Sequence, residues 1–166
     1  MIWHKNVSRH LIWQAIQRLR YPLPSPPFKP RPYRATTEKV MFSHVMVGVN
    51  DLEVSRKFYD ALLGTLGIAP GVANKSRYFY RSTTGLFGIT TPINGEPATH
   101  GNGSTIGFAM DSPEQANAFH AAGVANGGTT CEDPPGWREG ATGALYLAYL
   151  RAPDGNKICA LHRPAK

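Results

Sequence analysis

The string FSHVMVGV at residues 42–49 is apolar at most positions and reads as a buried strand. Asn50 or Asp51 follows as a candidate helix cap. From Leu52 to about Leu66 the apolar residues Val54, Phe58, Ala61, Leu62 and Leu66 recur at helical spacing, with Gly64 and Gly67 marking the end. The pattern then repeats itself. Shifted by 61 positions, STIGFAM (104–110) falls on the strand, Asp111 or Ser112 on the cap, and Pro113 on the first helical turn, where a missing amide costs nothing. Glu53 falls on Glu114, Phe58 on Phe119, and Ala61 on Ala122. Shorter strands are expected behind each helix, at 77–81 and 86–91, then at 144–151 and 157–162. The last pair is joined by APDGNK, a strong turn signal. Each copy is thus strand, helix, then two or three antiparallel strands. The Gly-rich, polar run NGEPATHGNG (94–103) links them. Module one is placed at 41–95 and module two at 103–163.

Residues 1–40 break this pattern. Trp3, Val7, Leu11, Ala15 and Leu19 are spaced as one face of a short basic helix, and six of the eleven positions from Pro22 to Pro32 are proline. Three readings stand beside one another: an organelle-targeting segment, a membrane-surface or partner-binding helix, and an appendage ahead of a native start at Met41. The expected division is an extension over 1–40, outside the core, and a domain over 41–166. A chain of 166 residues is enough for one domain with a real core and short for two.

Charge sharpens that division. The chain carries a formal +7, but residues 1–40 hold eight Lys or Arg against Glu38 alone, leaving ten basic and ten acidic residues for 41–166. A nucleic-acid-binding domain would carry its excess on the folded part, so nucleic acid is not an expected partner. No apolar run approaches the ~20 residues needed to span a bilayer. The two cysteines, Cys131 and Cys159, have no CxxC spacing and make no disulfide framework, so a cytoplasmic setting is expected.

The strings FSHVMVGVNDLEVSRKFYDALL (42–63), TPINGEPATHGNGSTIGFAM (91–110) and LRAPDGNKICAL (150–161) together resemble the vicinal oxygen chelate superfamily, the glyoxalase, bleomycin-resistance and extradiol-dioxygenase group. The resemblance covers 41–166 and none of 1–40. It implies an α+β fold of tandem βαβββ modules, whose curved, incompletely closed barrel sheet wraps a cavity, and a homodimer. It also implies a metal held by one inward side chain from each of four strands. Those positions are His44, which fits; a site near Gly88 or Ile89, which cannot ligate; Thr105, where the family usually has His; and Cys159, where it usually has Glu. His44 and Cys159 remain as metal candidates, with His100 or Glu96 as non-standard additions. A divalent ion needs three or four protein ligands, so either no cofactor or a weakly held metal is expected.

If His44 faces the cavity, strand alternation puts Met46 and Gly48 beside it and Val45, Val47 and Val49 beneath the helix. By the same offset Thr105, Gly107 and Ala109 line the cavity, and Ile106, Phe108 and Met110 are core. Tyr149 and Cys159 are expected as inner-face neighbours. His44 is the candidate general base or ligand contact; otherwise it is an imidazole satisfied by a carbonyl. Cys159 is a metal ligand, a reactive thiol or an inert buried cysteine. The long loop 131–143 brings Trp137 and Arg138 either over a planar or anionic ligand or over a sheet edge. The expected ligand-binding set is Met46, Thr105, Trp137, Arg138, Tyr149 and Cys159. Three functions remain open: a cavity for a small, partly aromatic or hydrophobic molecule with a degraded metal site; an active metal-dependent lyase, isomerase or dioxygenase using His44 with unusual partners; and a non-catalytic protein that sequesters a drug or metabolite.

Overall fold

A computed structural model describes residues 41–141 and 143–165. The expected basic helix and proline-rich stretch of 1–40 lie outside the described residues. Two modules follow one another, the first βαβββ and the second the same with one extra strand. The first contains β1 (His44–Gly48), α1 (Leu52–Gly64), β2 (Val72–Ala73), β3 (Arg77–Arg81) and β4 (Leu86–Thr90). The second contains β5 (Ile106–Met110), α2 (Pro113–Ala125), β6 (Thr129–Thr130), β7 (Gly136–Gly140), β8 (Gly143–Arg151) and β9 (Lys157–His162). The helices are offset by 61 residues at both ends. Asp51 caps α1 through its carboxylate, which accepts from the amides of Glu53 and Val54, and Ser112 caps α2 by accepting from the Gln115 amide.

Each module makes its own sheet, in the order β1-β4-β3-β2 and β5-β9-β8-β6, with β7 also paired to β8. In both, the strand before the helix lies parallel to the last strand and the rest are antiparallel. Among the described residues no strand pair joins the two sheets, so no barrel closes. One expectation fails here. Residues 131–143 are not a long loop, because Gly136–Gly140 forms a strand that pairs with Gly143–Leu147 through a tight hairpin. Its Pro, Gly and charged residues hide the strand pattern from a periodicity argument.

The alternation holds in both modules. Val47 and Val49 are buried beneath α1 with Phe58, Tyr59, Leu62 and Leu63, and Met110 is buried with Phe119 of α2. Burying side chains of this kind stabilises the fold by about 1.5–3 kcal/mol each. The modules share this core. A Cβ at Gly123 of α2 would stand 2.3 Å from Leu150 Cδ1 and 2.9 Å from Leu62 Cδ1, so the missing side chain is what lets α2 approach α1 and β8. Polar groups clasp the modules as well. In the turn between β8 and β9, Asp154 accepts from the Asn50 amide at 2.6 Å and from the Ser55 hydroxyl, and Asn156 Nδ2 donates to the Gly48 carbonyl at 3.0 Å.

Candidate functional site

The faces turned away from the helices carry the candidate chemistry. On the first sheet, strand register sets Met46, Gly88 and Phe79 in one row, with His44 and Leu86 on one side of it and Thr90 and Arg77 on the other. His44, Met46, Arg77, Phe79, Leu86 and Thr90 line an open depression of about 450 Å³. His44 is exposed, and its Nδ1 lies 2.9 Å from Ser43 Oγ. Gly88 is covered: a Cβ there would meet Met46 Sδ at 2.3 Å and Phe79 Cδ1 at 3.0 Å. The thioether and the ring therefore fill the space a ligating side chain would need.

On the second sheet, Gly107, Cys159 and Tyr149 form one row, and the Cys131 amide donates to the Tyr149 carbonyl beside them. Tyr149 and Cys159 are thus inner-face neighbours, as strand alternation predicts. Burial pushes the Cys159 thiol above its usual range, and burial followed by the adjacent Cys159 raises the Tyr149 phenol. Both stay protonated near neutrality, which makes Cys159 a poor nucleophile and a poor metal ligand. Lys157 lies 4.7 Å from the centre of the Tyr149 ring and is ion-paired to Glu132. Thr105 lies further along this face, in a separate depression of about 260 Å³ that also includes His100, Arg151 and Lys157.

Trp137 and Arg138 are adjacent on β7 and so face opposite ways. Trp137 packs edge-on against Tyr146 at 5.4 Å and His162 at 6.1 Å, on the helix side of the sheet, and is half exposed. Arg138 points to the other face, but its guanidinium donates to the carbonyls of Trp137 and Pro134 and sits 3.8 Å from Asp133. It is held by its own strand and the segment just before it.

The expected residues are therefore not gathered into one site. Met46 joins His44 on the first sheet, Thr105, Tyr149 and Cys159 share the second, and Trp137 stands apart from both. Sequence reasoning missed Arg77, Phe79, Leu86 and Thr90. Their signal was the alternation in RYFYR and LFGIT, which puts Arg77, Phe79, Leu86 and Thr90 on the side of Met46. As for a metal, no three His, Cys, Asp or Glu side chains converge among the described residues. With Gly88 covered and Cys159 a buried neutral thiol, the donors of one chain do not fit the family's ion.

The sequence model of the Glyoxalase/Bleomycin resistance protein/Dioxygenase superfamily matches residues 41–160. A glyoxalase/bleomycin resistance protein of solved structure from Albidiferax ferrireducens T118 is 85% identical, over 74% of this chain and 99% of that one, with a TM-score of 0.73. Two further structures share the fold alone. A glyoxalase-related enzyme from Fulvimarina pelagi is 20% identical over 75% of this chain and 88% of its own, at a TM-score of 0.59. A glyoxalase/bleomycin resistance protein/dioxygenase family enzyme from Burkholderia phytofirmans PsJN is 17% identical over 72% and 96%, at 0.57. No curated protein matches the chain. A family match over most of the chain, two copies of the module and a near relative in structure agree: this chain belongs to the Glyoxalase/Bleomycin resistance protein/Dioxygenase superfamily.

Proposed function

We propose that the protein binds a small, partly aromatic or hydrophobic molecule on the face of its first sheet, that it does so without the family's metal, and that it works as a homodimer. The observation that carries the reading is the depression of about 450 Å³ around Met46, Phe79 and Leu86, with Gly88 closed over by the first two. That volume lies within the ~300–1,000 Å³ range of small-molecule sites. Phe79 offers a ring for stacking and Met46 an adaptable thioether, while His44, Thr90 and Arg77 supply polar contacts at the rim. His44 is the group able to exchange a proton with the ligand. The dimer is supported by the outer edges of β1 and β5, which have no strand partner among the described residues.

A thermal-shift screen of aromatic and hydrophobic small molecules tests the binding. A ligand at about 100 times its Kd adds ~2.7 kcal/mol to stability, which is a rise of several degrees in Tm. Phe79→Ala is expected to abolish the shift. No hit, or a hit indifferent to Phe79→Ala, refutes the assignment. Elemental analysis of protein purified without a metal-affinity tag tests the second part, and stoichiometric metal that disappears in His44→Ala would overturn it. Light scattering coupled to gel filtration gives the oligomeric state.

A further inference from the structure

We propose a second binding site, for a small oxyanion, at the end of the second sheet. Arg151 and Lys157 are direct register partners on β8 and β9, so both side chains rise from the same face. Like charges placed opposite each other across strands repel, and the pair needs a compensating anion. Lys157 has one in Glu132, which is ion-paired to it. Arg151 donates to the Gly155 carbonyl at 2.8 Å and has no carboxylate partner among the described residues. Both cations line the depression of about 260 Å³, together with His100, the turn 101–104 and Thr105.

Among the described residues no carboxylate lines this depression. The turn consumes its own groups, because the Ser104 amide and hydroxyl both donate to the Gly101 carbonyl. The Asn102 amide and the Thr105 hydroxyl make no hydrogen bond among the described residues and remain as donors. Two fixed cations, an imidazole and these donors around one small space match the oxygens of a phosphate or carboxylate. The lining is mostly polar, so it suits the charged group of a ligand better than an apolar body. Glu132 sets the affinity, since it competes with the incoming anion for Lys157.

Calorimetric titration of the full chain with inorganic phosphate, at low ionic strength to limit screening, tests the site. One phosphate per chain is expected, with a Kd on the order of millimolar, as for a few exposed charge-assisted contacts. Lys157→Gln should weaken binding about tenfold, a loss of one such contact. Glu132→Gln should tighten it several-fold, a gain that misfolding cannot imitate. Phenyl phosphate and acetate are the parallel arms. Tighter binding of phenyl phosphate supports the site as a holder of a larger molecule's head group, and preference for inorganic phosphate supports it as a holder of the free ion. No titration with any of the three, or unchanged phosphate affinity in both variants, overturns the proposal. Phosphate binding that persists in Phe79→Ala separates this site from the aromatic one.

Discussion

The two modules are one scaffold carrying two chemistries. Their helices begin and end 61 residues apart, and their opening strands turn the equivalent positions toward the core. Yet α1 presents a ladder in which Arg56 bridges Glu53 and Asp60, whereas α2 has no Lys or Arg and five alanines. The first sheet offers an imidazole, a thioether and a ring; the second offers a neutral thiol, a phenol and a pair of cations. Equivalent positions have even become complementary. Leu62 and Gly123 are the same helix position in the two copies, and the Leu62 side chain fills the space that Gly123 leaves. Duplication preserved which face each residue uses, and divergence changed what stands there.

The largest test of that asymmetry is the clasp. Asp154 in the β8–β9 turn reaches the first module, while among the described residues the corresponding β3–β4 turn bonds within itself through Ser82. Asp154→Ala removes two charge-assisted hydrogen bonds and leaves the buried Ser55 hydroxyl without that acceptor. Urea denaturation is expected to show a loss of about 2–3 kcal/mol. Thr84→Ala, in the counterpart turn, should stay within ~0.5 kcal/mol. Equal effects would mean that the clasp adds nothing to the packing.

Glycine sharpens the comparison next. Gly123→Ala overpacks a full core and should cost about 1–3 kcal/mol despite the better helix former. Gly64→Ala, with nothing within 4 Å of its added Cβ, should be neutral or gain up to ~1 kcal/mol. A thermal melt of each variant reads the sign.

Two titrations give smaller effects at opposite ends of the pH scale. The Cys159 pKa is raised in the fold by burial, so the stabilisation tied to its protonated form is complete below the ordinary thiol range, near 8.5, and is lost as pH rises through the folded value. Cys159→Ala should flatten the alkaline limb of a stability profile, and alkylation at neutral pH should label Cys131 well ahead of Cys159. His120 runs the other way. Burial lowers its pKa, so its contribution is complete above about 6.5 and is lost as pH falls toward the folded value. His120→Gln should flatten the acid limb. Its equivalent in the first module is Tyr59, fully buried and raised by burial, which moves the same position's titration to the alkaline side.

Much of the fold was legible from periodicity, because caps, alternation and the Pro-Asp-Gly-Asn turn are local signals. The pairing of Tyr149 with Cys159 followed from alternation too. What escaped was set by partners distant in sequence. Asp154 reads as a turn residue, and nothing local announces that it reaches Asn50 and Ser55. Strand β7 escaped because PPGWREG has the composition of a loop, and with it went the separation of Trp137 from Arg138. The depression on the first sheet needed three strands in register before Phe79 and Arg77 could be set beside Met46.

The cover over Gly88 also constrains the order in which this protein can change. An acidic or imidazole side chain introduced at 88 would have to push aside the Met46 thioether and the Phe79 ring. Met46 is the more yielding of the two, because its flexible end borders the open depression. A donor at position 88 therefore displaces part of the aromatic and thioether floor as it arrives, and a Met46→Ala background should accept it with less disturbance of Phe79.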